Sequence, residues 1–286
     1  MIDKYRKAIK DNAFNLSDEA ITEKVNKIIA EKSEENNTVE VIRKIYSCID
    51  LTTLNTTDTR EDIWKFTDIV NTFEVSNPEI NNVAAICVFP NFVKTVRESL
   101  AADVKIASVC GGFPSSQTFL EVKIAETALA VLDGADEIDV VLNLGLFMND
   151  ELEELCEELD EIKEACHEAK LKVILETGAL KTGEKISSAS VLALYSGADL
   201  LKKSTGKVYP GATLEAAYVM CVAIKNYFKK TGIKKGIKIS GGVSTVKDAV
   251  DYYTIVKETL GEEWCNPDLF RIGTSRLANT LLEAAQ

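Results

Sequence analysis

Short apolar runs alternate with amphipathic segments along most of this chain. Eight such runs follow one another along the chain, at residues 45–52, 82–89, 105–111, 137–143, 172–178, 199–205, 236–242 and 270–275. Several of them are almost continuously apolar, which is typical of parallel β-strands that are buried on both faces. The pattern therefore predicts eight strands in one parallel sheet.

The segments between these runs carry apolar residues at helical spacing. One such stripe consists of Val122, Ala125, Leu129 and Leu132 and ends at Gly134. A second ends before Gly232 and consists of Leu214, Ala217, Tyr218, Cys221, Ile224 and Phe228. Eight strand–helix units in series fit a closed barrel or a doubly wound sheet. Their number and their repeat of about 30 residues favour an α/β fold of the (β/α)8 TIM barrel type.

The first predicted strand is preceded by residues 1–44. Ser17 has the side chain of a helix N-cap, and Ile21 and Val25 follow it on one face of a helix. We expect an N-terminal helical extension at 1–44 that packs on a single barrel domain at 45–286.

Composition narrows the possible functions. The net charge of −12 opposes binding to nucleic acids, and any phosphorylated metabolite would need a locally basic site. No apolar run approaches the roughly 20 residues of a membrane span. The N-terminus also lacks the apolar core of a signal peptide, so a cytoplasmic location is expected.

The cysteines and the single histidine are not expected to be catalytic residues. The seven cysteines are scattered without zinc-ligand spacing, so we expect buried, reduced thiols. The single histidine, His167, is expected on the surface, beside an apolar helical stripe. That stripe consists of Leu152, Leu155, Leu159, Ile162 and Cys166. We expect no metal and no cofactor, so lysines and carboxylates must supply the chemistry.

The ends of the predicted strands carry charged residues. In a barrel of this kind, catalytic groups lie where the strands end and the following loops begin. Asp50 comes after the first predicted strand, whereas Asp139, Glu176, Lys202 and Lys238 lie within the fourth to seventh. A buried lysine loses hydration free energy unless its surroundings compensate, so the lysines are the least expected of these residues.

Strand geometry separates two adjacent lysines. Lys202 and Lys203 must point to opposite faces, because side chains alternate along a strand. Lys238 lies on the next strand, so it and one of these lysines can both face the interior. Repulsion between two interior ammonium groups would lower one pKa and yield a nucleophilic amine that condenses with a carbonyl.

The turns after the last three strands are rich in small residues. They contain residues 204–207, 240–242 and 273–275, and Lys207 adds a positive charge. Loops after the seventh and eighth strands often bind phosphate in barrels, where backbone N–H groups approach the anion. The turns therefore indicate a phosphate site.

These stretches together resemble the deoxyribose-phosphate aldolase family of class I, Schiff-base aldolases. The motifs that carry the resemblance are DLTTLN (50–55), AAICVFPNFV (84–93), ADEIDVVLNLG (135–145), LKVILETGAL (171–180), GADLLKKSTGK (197–207), GIKISGGVST (236–245) and RIGTSR (271–276). The resemblance implies reversible cleavage of 2-deoxy-D-ribose 5-phosphate to acetaldehyde and D-glyceraldehyde 3-phosphate, in deoxyribonucleoside catabolism. A homodimer is one assembly that we consider.

The resemblance also implies individual roles. Lys202 resembles the imine-forming lysine, Lys238 the lysine that lowers its pKa, and Asp139 the carboxylate that moves protons with Lys238. Asp50 and Thr205 resemble contacts to substrate hydroxyls. The phosphate site corresponds to Gly206, Lys207, Gly241, Gly242, Gly273 and Ser275. Glu176 is expected to organise the site or to have a structural role.

Two positions depart from the family pattern. Lys203 stands where the family usually has threonine, and Arg276 where many members have serine. Two other functions stay open at this point. One is a Schiff-base barrel aldolase for a different phosphosugar, and the other is a non-catalytic barrel that senses a sugar phosphate.

Overall fold

Eight parallel strands close into a barrel in chain order. The structure is a computed structural model that describes residues 4–12, 14, 16–211 and 213–286. Each strand pairs with its neighbours in the sequence, and the first also pairs with the last. The strands are β1 Ile49–Thr52, β2 Ala85–Val88, β3 Lys105–Cys110, β4 Glu137–Val141, β5 Lys170–Ile174, β6 Leu200–Lys202, β7 Gly236–Ser240 and β8 Phe270–Thr274. The predicted (β/α)8 barrel is confirmed.

Helices surround the barrel. They are α1 Lys4–Asp11, α2 Asp18–Lys32, α3 Val39–Tyr46, α4 Arg60–Ser76, α5 Val93–Ser99, α6 Leu120–Leu132, α7 Leu144–Met148, α8 Leu152–Ala165, α9 Thr177–Leu180, α10 Gly183–Tyr195, α11 Leu214–Thr231, α12 Val246–Leu260 and α13 Leu277–Ala285. Short 3-10 turns lie at Glu34–Asn36, Pro90–Phe92 and Glu262–Trp264. The predicted stripe of α11 is buried or half-buried, and its helix ends at Gly232, whose φ of 73° suits a glycine.

The helices before β1 contact the outer helical layer. Ser17 caps α2 by accepting a hydrogen bond from the Ala20 amide, and Ile21 and Val25 are buried. α2 packs against α11 and α12, and α3 packs against α12 and α13. Residues 1–3, 13 and 15 of the predicted extension lie outside the described residues. The proposed division after residue 44 falls within α3, because that helix continues to Tyr46.

The helix predicted from Val122, Ala125, Leu129 and Leu132 is confirmed as α6, but this apolar stripe is not its buried face. Val122, Leu129 and Leu132 of α6 are exposed, whereas Lys123 and Thr127 face inward. The Lys123 ammonium lies 2.7 Å from a carboxylate oxygen of Glu158 and donates to the Ser116 hydroxyl at 3.0 Å. This ion pair makes the inner face of α6 polar. The apolar residues identified from the sequence therefore lie on the outer face of the helix.

The two faces of the strands differ in chemistry. Outward residues such as Ile86, Ile138, Val173 and Ile237 join the large core beneath the helices. A smaller apolar cluster contains Leu54, Ala85, Cys87, Ala107 and Val109, with Phe89 and Phe113 against it. Its members come from β2, β3 and adjoining loops. The apolar part of the barrel interior therefore lies opposite the strands that carry charged side chains.

Candidate active site

A single carboxylate oxygen joins two interior lysines. Lys202 and Lys238 are register partners on β6 and β7. The Lys202 amine lies 2.8 Å from Oδ2 of Asp139, and the Lys238 amine lies 2.7 Å from the same atom. All three side chains are buried. The structure therefore brings together the three residues that were predicted to be catalytic and provides a direct path for a proton between the two amines.

The surroundings shift the pKa values of the two lysines in opposite directions. Burial has the largest effect and lowers the pKa of Lys202; the Asp139 carboxylate opposes this, and the Lys238 ammonium lowers it further. Burial also disfavours the Lys238 ammonium, but Asp139 and Asp50 hold its pKa well above the ordinary value. The predicted direction for Lys202 is confirmed. Repulsion by Lys238 contributes as predicted, although burial contributes more.

The three residues belong to a larger set of ionic side chains inside the barrel, the interior charge network. It consists of Asp50, Glu137, Asp139, Lys172, Lys202, Lys238 and Arg271. Burying this many charges is costly unless every group is paired, and each member has an oppositely charged partner. Lys172, Glu137 and Arg271 were missed by sequence reasoning, although each is a charged residue within a predicted buried strand or at its edge.

Asp50 lies deeper than predicted. It is the second residue of β1 and is not in the loop that follows, and its carboxylate is fully buried. Its oxygens lie 3.0 Å from Lys172, 2.5 Å from Lys238 and 2.6 Å from Arg271. Its contact with a substrate hydroxyl stays a prediction, since a substrate would have to reach oxygens that three cations already share.

Lys203 faces the helical layer. Its ammonium donates to the Tyr252 hydroxyl at 3.0 Å and lies 4.5 Å from the centre of that ring. Burial lowers the pKa of Lys203 well below the ordinary value. Strand parity therefore separated the two adjacent lysines correctly, and Lys203 is absent from the barrel interior.

Glu176 holds Thr205 in place. Glu176 follows β5 instead of lying within it, and its backbone has a left-handed φ of 41°. The Thr205 hydroxyl donates to Oε2 of Glu176 at 2.5 Å and accepts the Lys207 amide at 3.1 Å. These bonds fit the predicted site-organising role of Glu176, while the contact of Thr205 with a substrate hydroxyl stays a prediction.

The glycine turns after β6 and β7 meet. A methyl group added at Gly241 would lie 3.3 Å from Cα of Gly206, so both positions favour residues without a side chain. Gly241 and Gly242 have φ values of 73° and 83°, which also favour glycine. Gly273 lies within β8, where an added methyl group would be 3.0 Å from Cε of Lys238. The phosphate roles of these glycines stay predictions.

Two further predicted phosphate residues lie on the exposed surface of the turns. Ser275 is exposed just before α13. Lys207 is also exposed, and its ammonium donates to the Leu54 carbonyl at 2.6 Å, which links the turn after β6 to the segment after β1. A phosphate bound by Lys207 would replace this carbonyl as its partner.

Several other sequence predictions can be compared with the structure. His167 is exposed, as predicted, and all seven cysteines are buried and free. Within the described ranges, no group of three or more acidic, histidine or cysteine side chains is suited to hold a metal ion. Among the helices that the structure describes, none is long and apolar enough to cross a membrane.

Fold and site together define a (β/α)8-barrel enzyme of the aldolase class. The profile of the DeoC/LacD family aldolase matches residues 44–273. The deoxyribose-phosphate aldolases of Homo sapiens and Bos taurus are 40% and 41% identical, over 83% and 82% of this chain and 78% and 77% of their own lengths. The chain belongs to the DeoC/LacD family of aldolases.

Solved structures agree with this assignment. The aldolase QR15 is 31% identical with a TM-score of 0.68, and the match covers 84% of this chain and 95% of QR15. A deoxyribose phosphate aldolase from Aeropyrum pernix, described as a tetramer, is 27% identical with a TM-score of 0.67. That match covers 90% of this chain and 96% of the other.

Proposed function

We propose that this enzyme cleaves 2-deoxy-D-ribose 5-phosphate reversibly to acetaldehyde and D-glyceraldehyde 3-phosphate, in deoxyribonucleoside catabolism. The observation that carries the proposal is the placement of the Lys202 and Lys238 amines on one oxygen of Asp139. A barrel that only senses a phosphate has no need of a buried amine whose pKa is lowered. Identity of about 40% to curated deoxyribose-phosphate aldolases favours this substrate over other phosphosugars.

The reaction begins with the neutral amine of Lys202. This amine attacks C1 of the open-chain sugar, and uptake of one proton with loss of water gives an iminium ion that accepts electrons from the adjacent bond. Because acetaldehyde keeps C1 and C2, the bond that breaks is C2–C3. Removal of the proton from the C3 hydroxyl releases D-glyceraldehyde 3-phosphate and leaves an enamine on Lys202.

Asp139 and Lys238 are placed to move the protons. The carboxylate already accepts from both amines, so it can pass a proton between Lys238 and the groups that react on Lys202. Protonation of the enamine at C2, followed by hydrolysis of the iminium, releases acetaldehyde and regenerates the amine.

The apolar cluster suits the two-carbon product. The Phe113 ring centre lies 5.7 Å from the Lys202 amine, and Cys87 and Val109 belong to the same cluster. A wall of this kind can accommodate a methyl group but offers no partner to a hydroxyl group on C2. This environment favours a deoxy sugar over a sugar that carries a hydroxyl group on C2.

Lys207 is expected to contribute mainly to binding the phosphate. Replacing Lys207 with alanine removes one charge-assisted hydrogen bond, so KM for 2-deoxy-D-ribose 5-phosphate should rise by roughly 10- to 100-fold. Steady-state kinetics with phosphorylated and unphosphorylated deoxyribose measures this effect. Equal losses with both substrates would contradict the assignment.

A coupled assay for acetaldehyde tests the proposed function. Purified enzyme is supplied with 2-deoxy-D-ribose 5-phosphate, and acetaldehyde is measured with alcohol dehydrogenase and NADH. Other phosphosugars, including fructose 1,6-bisphosphate, are compared at equal concentration through the D-glyceraldehyde 3-phosphate that their cleavage would release. Preferred turnover of another sugar, or binding without turnover, would reject the proposal.

Assembly and location remain proposals as well. We propose a homodimer in the cytoplasm that acts on small molecules. The exposed side chains of Val122, Leu129 and Leu132 on α6 provide an uncharged surface for a second copy. Sedimentation velocity should show a species of twice the chain mass, and a monomer at all concentrations would contradict the dimer.

A further inference from the structure

The interior charge network is electrically balanced when Lys202 is neutral and every other member is charged. Apart from Lys202, it contains three carboxylates and three cations. It therefore carries no net charge when Lys202 is neutral and one positive charge when Lys202 is protonated. An unbalanced charge in a buried site is unfavourable, so the balance favours the neutral amine.

Five of the other members are held in their charged forms. Neighbouring cations outweigh the effect of burial and keep the pKa values of Asp50 and Asp139 below their ordinary range. Neighbouring carboxylates raise the pKa values of Lys172 and Arg271 despite burial, as they do for Lys238. Among these six groups, Lys202 is the one whose pKa is shifted towards the neutral form.

We propose that Arg271 and Glu137 are positioning residues that keep Lys202 neutral by setting the total charge of the interior charge network. Neither residue has an ion pair with Lys202, so their influence passes through intermediate groups. This inference rests on the proposed function, because it concerns the amine that forms the imine.

Two chains of ion pairs connect Arg271 to Lys202. Arg271 lies 2.6 Å from Asp50, which contacts Lys238, and Lys238 shares the Asp139 oxygen with Lys202. Arg271 also lies 2.7 Å from Glu137.

The second chain runs through Glu137. Its carboxylate contacts Lys172, and Lys172 lies 3.2 Å from the other oxygen of Asp139. Both chains therefore end on the carboxylate that contacts Lys202; Arg271 lies at their far end, and Glu137 is next to it in the second chain.

The remaining neighbours of Lys202 contribute no full charge. Burial raises the pKa of the Cys87 thiol, which keeps it protonated. Phe113 presents an uncharged ring. The carboxylates and cations of the network therefore dominate the electrostatic environment of Lys202.

Opposite substitutions should shift the titration of Lys202 in opposite directions. Arg271→Gln removes a positive charge and should raise the midpoint pH of Lys202 reactivity by about one unit. Glu137→Gln removes a negative charge and should lower the midpoint by a similar amount. The double variant restores the balance, so its midpoint should return close to that of the unmodified enzyme.

The reactivity of Lys202 can be measured without full turnover. Each enzyme is incubated briefly with acetaldehyde across a range of pH values and then transferred to borohydride at one common pH. Peptide mass spectrometry quantifies the ethyl group on Lys202, and the initial rate against pH gives the midpoint. Circular dichroism establishes that each variant is folded.

Two controls separate charge from structure. Arg271→Lys keeps the charge while losing the planar fork, and it should keep the midpoint. Glu158→Gln alters the buried Lys123 pair outside the barrel interior and should also leave the midpoint unchanged. If Arg271→Gln does not fold, Glu137→Gln still tests the predicted downward shift.

The results distinguish this inference from the proposed function. Adducts on Lys202 whose midpoints do not move, move in the same direction, or move as much in Arg271→Lys would overturn the charge-setting role alone. Absence of any Lys202 adduct in the unmodified enzyme would instead reject the imine mechanism on which it rests.

Discussion

Lys202→Met is expected to reduce the cleavage of 2-deoxy-D-ribose 5-phosphate by at least about 10³-fold. Within the described part of the chain, Lys202 carries the one amine that both contacts Asp139 and has a lowered pKa, so its removal closes the covalent route. Methionine retains most of the buried volume, and Lys238 and Lys172 keep Asp139 paired. The coupled acetaldehyde assay measures the loss.

Lys203→Met is the matched control for this prediction. Lys203 is adjacent in sequence, equally buried and chemically identical, but it contacts Tyr252 in the helical layer. We expect this variant to retain activity within about threefold of the unmodified enzyme. A large loss in Lys203→Met together with activity in Lys202→Met would show that the roles of the two lysines are reversed.

Asp139→Asn is expected to lower kcat by about 10²- to 10⁴-fold while allowing the first imine to form. Asparagine cannot carry a proton between Lys202 and Lys238, so proton transfer is lost. The Asp139 carboxylate raises the pKa of Lys202, and its removal should leave that amine even more neutral. Single-turnover trapping with borohydride and steady-state kinetics measure the two steps separately.

Asp139→Asn should destabilise the fold less than a substitution that leaves a buried charge without any partner. Lys238 keeps its contact with Asp50, and Lys172 keeps Asp50 and Glu137. A thermal melt of Asp139→Asn provides the structural control. Retention of kcat within tenfold in the folded variant would exclude Asp139 as the proton carrier.

The barrel and the pair of interior lysines were predictable because they depend on local rules, whereas the role of Asp139 was implied by the family resemblance. Apolar runs identify parallel strands, and alternation along β6 places Lys202 and Lys203 on opposite faces. Since consecutive strands of a barrel are neighbours, Lys238 had to lie beside one of them. The cation pair therefore follows from strand order alone.

The interior charge network depends on how the barrel closes. Asp50 on β1 meets Arg271 on β8 only because the first and last strands pair, and it meets Lys172 across the interior. The stagger between strands determines which side chains reach the same depth, and a hydrophobic pattern carries no such information. For the same reason Asp50 was placed in a loop, although it lies within the sheet.

The physical cause of the lowered pKa of Lys202 also required the structure. Sequence reasoning could place a second ammonium nearby, but it could not determine how completely the strands and loops exclude water. The structure shows a buried amine for which loss of hydration outweighs repulsion by Lys238. The inner face of α6 likewise required the structure, because a buried ion pair lies there and the apolar stripe is exposed.

Mapping the trapped intermediate identifies the lysine that forms the imine. The enzyme is mixed with 2-deoxy-D-ribose 5-phosphate, reduced with borohydride and digested, and every lysine peptide is examined by mass spectrometry. We expect a substrate-derived adduct on Lys202 that is absent without borohydride. An adduct on Lys203 or Lys238, or turnover that leaves no lysine adduct, would contradict this expectation.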